Sequence, residues 1–507
     1  KKKNVNKLLA LGLVSAMTAG MLAGCGNTAS TTTDKGAADT TVTEATDDKT
    51  STDTAKADNG EVPTLIWWSI GGTPPDDFDK TIAEISDYTE EKIGVRIDVK
   101  IAGWADYETK MNNIINTGEY FDLMFVNNTN YTKFVNLNAL ENITDLVQTE
   151  TPDLYNFIPT DLWEGAKIHG NVYAVPTYKD SSLTQFWMLD DAYVQKYNID
   201  VDSIKDYATL NDALQTIKEG EGKSKYPMQL AQGSTFNGFF NNYDGLASGL
   251  QPIGVKYDDA SRKVVCTLEQ DDIMDGLNWL HKWYQDGIIN PDANVVTDGG
   301  KGSIFGSAQG WPAAATTWAF NSGIEKYDLT QVFGPLYTTE TIQGSMNAIS
   351  ANSKYKTEAL KVLQLMNTDS KFRDMCAYGT EGNYMEYAED GTVQKLRDDW
   401  NWPSYTQGTF FILSTQADGD PDAWNQVKEQ NEAAVSSTCL GFALDVTNIQ
   451  NEIANCNTVW DKYKNDLLTG ASDPATAVPA CIEELKAAGL DTVIEEAQKQ
   501  VDEFFAN

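Results

Sequence analysis

Residues 64–68 read Thr-Leu-Ile-Trp-Trp, and Ser-Ile-Gly-Gly-Thr-Pro-Pro follows at 69–75. A short apolar run ended by glycine and proline predicts a buried strand that leads into a loop. Apolar residues then recur at helical spacing over 82–93, and Gly94 ends that helix. Alternating apolar and polar residues at 95–101 predict a second strand. The globular part of the chain therefore begins as β-α-β.

The same pattern continues along the chain. A second helix over 107–117 is closed by Gly118, and the apolar strand 121–126 leads into the polar loop 127–130. This repeat predicts an α/β fold with an open, largely parallel sheet. In such sheets ligands collect at the carboxyl ends of the strands, so we expect the loops 69–75 and 127–130 to border a binding site.

Two further stretches suggest how the chain is divided. A short strand at 171–176 ends in Pro176, and the loop 177–180 precedes a new α/β run. We interpret this loop as a crossing between two lobes and expect a return crossing near 343–348. From 436 to the end the apolar spacing predicts an almost wholly helical region.

Composition and charge restrict the function. The 507 residues are 41% hydrophobic, and the formal net charge is −36. An excess of acid this large argues against nucleic acid as a partner and disfavours a polyanionic ligand. With only two histidines and no Cys-x-x-Cys pair, a metal site is not predicted, and no cofactor motif is found. Asp200, Asp202 and Asp206 lack the spacing of a calcium loop and are better explained as helix-start acids.

Cysteine use is also informative. Five cysteines lie in the globular part, an odd number, and we expect buried free thiols that pack as small apolar groups. A disulfide is the alternative, and Cys439 with Cys456 is the one pairing worth testing.

The amino-terminal segment carries a positive start, an apolar run at 8–22 and the tetrad Leu-Ala-Gly-Cys that ends at Cys25. The apolar run is too short and too rich in small residues for a membrane span. The tetrad resembles the bacterial lipobox, which implies lipidation of Cys25, with 1–24 as signal peptide. The Thr-rich segment 25–62 lacks aromatic residues and predicts a disordered tether. An ordinary secretory signal is the alternative.

Several stretches together carry a resemblance to a family. They are Gly-Glu-Tyr-Phe-Asp-Leu at 118–123, His-Gly-Asn-Val-Tyr-Ala-Val-Pro at 169–176, Met-Asn-Ala-Ile-Ser at 346–350, Tyr-Gly-Thr-Glu-Gly-Asn-Tyr at 378–384, Gly-Phe-Ala-Leu-Asp at 441–445 and Leu-Lys-Ala-Ala-Gly-Leu-Asp at 485–491. The chain resembles the extracellular solute-binding lipoproteins of bacterial ABC importers, of the LipO-like type with a DUF3502-type carboxyl-terminal region.

That resemblance implies a two-lobed, periplasmic-binding-protein-like fold of type II, with a hinge, a central cleft and a helical carboxyl-terminal region. We expect lobe 1 to comprise 63–176 and 346–440, and lobe 2 to comprise 177–345 and 441–507. The implied function is a non-catalytic, monomeric receptor on the outer face of the cell membrane, in a Gram-positive-type bacterium. It would capture an oligosaccharide and deliver it to permease subunits. A glycan-degrading surface enzyme, or a receptor for another solute such as a peptide, is the alternative.

Saccharides offer flat C–H faces and many hydroxyls, so their sites combine aromatic platforms with amide and charged side chains. Tyr178 and Lys179 follow the first crossing and should face the cleft, and Trp311 and Trp318 flank a run that resembles the cleft segment of the family. For each tryptophan, packing in the core is the alternative. The candidate ligand contacts are Trp68, Asn127, Asn128, Tyr178, Lys179, Trp311, Trp318, Glu381, Tyr384 and Trp402.

Overall fold

A computed structural model describes residues 62–232, 235–297, 299 and 302–506. Cys25 and nearly all of the predicted tether lie outside the described residues. Among the described residues, the strands are β1 (Thr64–Gly71), β2 (Arg96–Gly103), β3 (Leu123–Val126), β4 (Lys167–Ile168), β5 (Asn171–Val172), β6 (Ala174–Pro176), β7 (Leu183–Asp190), β8 (Tyr243–Asp244), β9 (Ile253–Lys256), β10 (Val265–Cys266), β11 (Phe305–Gln309), β12 (Tyr327–Tyr337), β13 (Met346–Ile349), β14 (Met385–Tyr387), β15 (Val393–Lys395) and β16 (Val435–Ser436).

The helices form the carboxyl-terminal end of the described chain and many of the connections between strands. They are α1 (Phe78–Ile93), α2 (Tyr107–Thr117), α3 (Tyr131–Asn136), α4 (Thr144–Glu150), α5 (Pro152–Phe157), α6 (Thr160–Gly165), α7 (Asp191–Tyr197), α8 (Tyr207–Glu221), α9 (Asp271–Gln285), α10 (Ala315–Ser322), α11 (Thr339–Gln343), α12 (Lys356–Thr368), α13 (Ser370–Tyr378), α14 (Ala423–Ala433), α15 (Gln450–Leu468), α16 (Pro474–Ala487) and α17 (Leu490–Phe505). None of these described helices is both long enough and apolar enough to cross a membrane.

The first sheet has the order β2-β1-β3-β13-β6. Strand β1 is parallel to β2 and β3, whereas β13 is antiparallel to both of its neighbours. The predicted β-α-β start is confirmed, but the sheet is mixed rather than largely parallel, because β13 pairs antiparallel with both β3 and β6. Helices α1 and α2 end at Gly94 and Gly118, which both adopt φ 68°. Glycine reaches this left-handed conformation without steric cost, which is why the sequence marked both helix ends correctly.

A hydrophobic core surrounds the first sheet. It combines residues of β1 with residues of α1, α2, α12 and α13, and it includes Trp67, Met124 and Phe372, which are fully buried. The indole Nε1 of Trp67 donates to Asn347 Oδ1 over 3.0 Å, so the polar edge of this ring is satisfied inside the core.

A second sheet and core are built from later residues. The order β11-β7-β12-β16 forms a four-stranded sheet, and β10-β9-β8 forms a smaller one nearby in sequence. The second core also takes in α15, α16 and α17. The predicted carboxyl-terminal helices are present, but they begin only at Gln450. Ser436 instead lies in β16, and Gly441 (φ 89°) turns the chain between that strand and α15.

Within the described residues the chain crosses three times between the regions around the two sheets; the third crossing leads into β16, which pairs with β12, and the first two are paired with each other. The first leaves β6 at Pro176, and the second includes α11 and reaches β13 at Met346. These two lie side by side, because Thr177 N donates to Ser345 O over 3.0 Å and the two side-chain hydroxyls are 3.1 Å apart. Two of the three passages between the cores are therefore paired, hydrogen-bonded segments.

The cysteines and helix-start acids follow the sequence predictions. Cys266, Cys376, Cys439, Cys456 and Cys481 are buried and free. Burial raises the pKa of Cys266 to about 11 and that of Cys439 to about 12. Asp206 caps α8 by accepting a hydrogen bond from Thr209 N, so this aspartate is a helix cap as expected.

Candidate ligand-binding site

The carboxyl ends of β1, β2 and β3 lie side by side, because β1 pairs in parallel with both neighbours. The loop after β3 holds Asn127 and Asn128, and both side chains are half-buried. Asn127 Oδ1 accepts from the backbone N and the hydroxyl of Thr129, at 3.0 and 2.6 Å. Among the described residues, the amide of Asn128 has no hydrogen-bond partner. Asn127 therefore shapes the loop, whereas the donors and the acceptor of the Asn128 amide have no partner among the described residues.

Glu108, in the first turn of α2, fixes this loop from the side. Its Oε1 accepts from Asn130 Nδ2 at 2.7 Å and from Thr129 Oγ1 at 2.9 Å. The carboxylate ties the loop after β3 to the helix after β2. The carboxyl edge of the sheet is thus a connected polar rim.

Trp68 follows Trp67 on β1, and successive residues of a strand point to opposite faces of the sheet. Its ring is half-buried, and Lys110 Nζ lies 5.0 Å from the ring centroid. The indole Nε1 is buried and has no hydrogen-bond partner within the described part of the chain. Trp68 therefore packs partly under α2, with one donor unused.

Tyr178 and Lys179 lie on the first crossing and are 94% and 97% buried. The Tyr178 ring meets Phe411 at 4.5 Å and Phe157 at 5.7 Å, and its hydroxyl donates to Ser414 O over 2.7 Å. Lys179 Nζ lies 2.8 Å from Asp180 Oδ1. Both side chains hold the crossing in place in this conformation.

Trp311 and Trp318 lie next to the boundary of the two cores. Trp311 is 94% buried and meets Trp424 at 6.4 Å, whereas Trp318 on α10 is half-buried and faces Phe186 at 6.1 Å. Phe411 packs against this cluster and also against the first core. The structure therefore brings this pair to the same boundary as Tyr178.

Three buried polar atoms close to that cluster have no hydrogen-bond partner within the residues that the structure describes. They are Thr184 Oγ1 and Gln185 Nε2 on β7 and Trp424 Nε1 on α14. Gly310, next to Trp311, donates its N–H to Thr184 O over 3.1 Å. Buried polar groups are normally hydrogen-bonded, so these atoms offer donors and acceptors to a ligand or to water.

Trp402 and Tyr384 have a different position. Both have 0% exposed surface. Trp402 Nε1 donates to Ser69 Oγ over 3.1 Å and its ring meets Trp67 edge-on at 5.3 Å, so the residue belongs to the first core. Trp402 is therefore a core residue in this structure, which is the alternative given above for each tryptophan. Trp400 is buried as well, and its Nε1 donates to Cys376 O over 2.9 Å.

Tyr384 belongs to a charged cluster at the base of α1. Its hydroxyl donates to Asp77 Oδ1 over 2.5 Å, and the Arg397 guanidinium lies 4.0 Å above its ring. Arg397 also donates to Asp77, which holds the pKa of that carboxyl well below its ordinary value. Glu381 is exposed nearby, where it forms an isolated bridge with Met385, and no hydrogen bond among the described residues joins its carboxylate to Asp77, Tyr384 or Arg397. These contacts assign Tyr384 a structural role here.

Trp104 is a candidate that the sequence analysis did not consider. It follows β2 directly, is 47% exposed, and stacks on Tyr405 with ring centroids 6.1 Å apart and an interplanar angle of 21°. Tyr405 is itself placed by the crossings, since Ser345 Oγ donates to its backbone O over 2.7 Å. The sequence position of Trp104 could have identified it, because ligands collect at the carboxyl ends of parallel strands and Trp104 follows β2 as directly as the selected loops follow β1 and β3.

Three features of the described structure have the chemistry that a ligand site requires. They are an exposed aromatic face at Trp104, an Asn128 amide without a partner among the described residues, and an aromatic cluster that holds buried polar atoms without described partners. This combination suits a ligand with both apolar faces and hydroxyl groups.

Comparison with known families gives the decisive observation. Residues 83–396 match the model of a family described as bacterial extracellular solute-binding protein, and residues 438–506 match a domain of unknown function, DUF3502. The chain belongs to the bacterial extracellular solute-binding proteins. The predicted family, its extracellular location and its non-catalytic class are thereby confirmed.

Two proteins from Streptococcus pneumoniae are similar to this solute-binding protein over most of its length. A carbohydrate ABC transporter substrate-binding protein of serotype 4 (strain ATCC BAA-334 / TIGR4) is 28% identical and covers 89% of this chain and 93% of its own length. The crystal structure of the N-glycan transport solute binding protein NgtS is 27% identical, with a TM-score of 0.78 over 88% of this chain and 99% of that chain. Its complex with Man5GlcNAc is 26% identical, with a TM-score of 0.64 over 88% and 99%. The two-lobed type II fold is therefore confirmed.

Proposed function

We propose that this solute-binding protein is a lipid-anchored receptor that captures an oligosaccharide between its lobes and delivers it to the permease of an ABC importer. The observation that carries the proposal is the Trp104 ring, 47% exposed and backed by Tyr405 at the carboxyl edge of the first sheet. A large apolar ring left in water at such an edge is typical of a binding surface. Its flat face matches the C–H face of a pyranose.

The chemistry of the relatives supports a saccharide as the ligand. One is a carbohydrate transporter component, and another has been crystallised with Man5GlcNAc. A neutral glycan also agrees with a net charge of −36, which would repel a polyanion. The proposed contacts are Trp104, Asn128 and Trp318, with Asn127 shaping the loop. Five other residues remain predicted ligand contacts: Trp68, Tyr178, Lys179, Trp311 and Glu381.

Lobe closure is the proposed mechanism. We assign lobe 1 to 63–176 with 346–440, and lobe 2 to 177–345 with 441–507. Two separate sheets and cores joined by paired crossings support hinge motion. The comparison with NgtS adds support, because the TM-score falls from 0.78 to 0.64 in its complex with Man5GlcNAc at nearly the same identity.

The test is a ligand screen on the purified protein from residue 62 onward. We would incubate it with Man5GlcNAc, with plant, host and yeast glycans, and with peptides, and record thermal shift, released reducing ends and the radius of gyration by scattering. We expect one glycan class to raise the Tm and reduce the radius of gyration, with no new reducing ends. Released reducing ends would contradict a receptor, and a shift with peptides alone would contradict a saccharide ligand.

Lipid anchoring through Cys25 has a separate test. The acidic globular part is repelled by anionic headgroups, so membrane binding would depend on the lipid at Cys25. Expressed with its natural leader, the protein should sediment with membranes, and Cys25→Ser should release it to the medium. A variant that still sediments would contradict the anchor, while leaving the binding function untouched.

A further inference from the structure

The aromatic stack of Trp104 on Tyr405 lies beside the return crossing, because that crossing holds the Tyr405 backbone. Ser345 directly precedes β13 and donates its hydroxyl proton to Tyr405 O over 2.7 Å. The ring of the same tyrosine lies 6.1 Å from the Trp104 ring, centroid to centroid. The exposed tryptophan is therefore separated by one residue from a segment that joins the two cores.

Two hydroxyl groups extend this contact to the first crossing. The hydroxyl oxygens of Ser345 and Thr177 are 3.1 Å apart, and the two residues are 98% and 96% buried. A carbonyl oxygen only accepts hydrogen bonds, so the single hydroxyl proton of Ser345 goes to Tyr405 O, and Thr177 is the donor to Ser345 Oγ. Thr177 N also donates to Ser345 O over 3.0 Å. Both paired crossings are thus joined to Tyr405 through one buried side chain.

The chain around Tyr405 is also fixed by Arg373 on α13, which has no exposed surface. The Arg373 guanidinium donates to Ser404 O at 2.9 Å, to Thr409 O at 2.7 Å and to Gln407 Oε1 at 2.6 Å. These acceptors lie on both sides of Tyr405 in the chain. The segment that carries Tyr405 is therefore held as one unit around a buried cation.

Ser345 differs from the other donors to this segment in what else it contacts. Asn347 Nδ2, on β13, donates to Thr406 O over 2.9 Å, and Arg373 lies on α13. Both of those elements pack in the first core. Ser345 instead lies on a crossing and bonds to the other crossing at Thr177. Its hydroxyl thus bonds to the hinge region and to the backbone beneath Trp104.

We infer that Ser345 is a positioning residue of the ligand site, which transmits the position of the paired crossings to Tyr405 and so to Trp104. The inference rests on the proposed function, in which Trp104 contacts the glycan and the crossings form the hinge. The shared hydroxyl keeps the two segments in one arrangement, because a buried donor or acceptor that loses its partner is unfavourable. Hinge motion and glycan contact at Trp104 are then linked, and each changes the equilibrium of the other.

The first test compares the glycan affinity of Ser345→Ala with that of the wild type by calorimetric titration. The probe is Man5GlcNAc, or the glycan of the screen that raises the wild-type Tm. Alanine removes the bonds to Tyr405 O and Thr177 Oγ1 but keeps the backbone bond between the crossings. Binding should weaken about 3–10-fold.

Ser86→Ala is the matched control. Ser86 is 99% buried, and its hydroxyl donates to Ile97 O over 2.5 Å in the first core. Its loss should lower the Tm, as a lost buried hydrogen bond does, and leave the glycan affinity unchanged. The control therefore separates an effect on stability from an effect on the site.

A double-mutant cycle with Trp104→Ala tests the route of the effect. If Ser345 acts through Tyr405 and Trp104, Ser345→Ala should reduce the affinity by less than about 2-fold when Trp104 is already alanine. Equal fold losses in both backgrounds would overturn the inference, because Ser345 would then act elsewhere. Thr177→Val removes the donor to Ser345 and keeps the side-chain shape, so it should weaken binding less than Ser345→Ala does. It replaces Ser345→Ala in the cycle if that variant fails to fold, and should show the same dependence on Trp104.

Hydrogen exchange of the ligand-free protein gives a readout that does not require the glycan. Amides of 404–409 should exchange faster in Ser345→Ala than in the wild type and in Ser86→Ala. Unchanged exchange there, or an unchanged glycan affinity of Ser345→Ala, would overturn the inference and leave the proposed function intact. A wild type that binds no glycan of the screen would contradict the proposed function, and the inference with it.

Discussion

Two regions of the molecule differ in how they bury tryptophan. One region contains Trp400 and Trp402, and the other contains Trp104 and Trp318. Trp400 and Trp402 are at least 98% buried, and each indole N–H has a partner inside the protein. Trp104 is 47% exposed, and Trp318 is half-buried on a short helix. An indole with a satisfied N–H and no exposure stabilises the fold, whereas an exposed ring is available to a ligand.

The largest expected effect is on the buried side of this comparison. Trp402→Ala removes a ring that packs on Trp67 and a bond to Ser69, so the free energy of unfolding should fall by about 3–5 kcal/mol. Urea denaturation followed by fluorescence measures this loss. Trp104→Ala is the control and should unfold like the wild type. A folded Trp402→Ala protein of native stability that loses ligand would place Trp402 in the site after all.

Trp311 and Trp318 test the boundary between the two regions. Trp311 is 94% buried against Trp424, so Trp311→Ala should cost about 2–4 kcal/mol of unfolding free energy. Trp318→Ala should cost less stability and weaken glycan binding, because part of its ring stays accessible. Urea denaturation and calorimetric titration of both variants separate the two effects. Equal losses of stability would show that the two tryptophans belong to one packed unit.

The smallest expected change, and the most specific one, is at Trp104. Trp104→Ala should weaken glycan binding by about 1–3 kcal/mol and change the free energy of unfolding by no more than about 0.5 kcal/mol. Trp104→Phe keeps a flat ring and should recover part of the affinity. Calorimetric titration with the glycan found in the screen gives both values. Unchanged affinity in Trp104→Ala would show that Trp104 does not contact the glycan, and that exposure does not distinguish ligand-binding tryptophans from core tryptophans.

The fold was largely predictable because its signals are local. The apolar run at 64–68, the helix that stops at Gly94 and the next strand all follow from spacing and from glycine's access to positive φ. The predicted start of the carboxyl-terminal helices, at residue 436, was less accurate. Residues 437–449 contain apolar positions that fit a helix, but turns and the tertiary contacts of Gly441 determine their backbone.

The site was less predictable, because burial of an aromatic residue depends on distant partners. Nothing local to Trp402 reveals that Ser69 and Trp67 lie against it, more than 300 residues away in the chain. Tyr384 similarly depends on Asp77 and Arg397. Trp104 could have been found by applying the strand-end rule to every strand. Its stacking on Tyr405 required the fold.

The buried thiols have a practical consequence for watching the molecule move. All five cysteines in the described part are free and buried, and burial raises the pKa of the Cys456 thiol to about 11. Maleimide dyes attack exposed thiolates, so these groups should stay unlabelled in the native protein. Two cysteines added on the surface of a chain that starts at residue 62 would then be the reactive pair. Fluorescence energy transfer between them could follow opening and closing in single molecules without first removing any native sulfur atom.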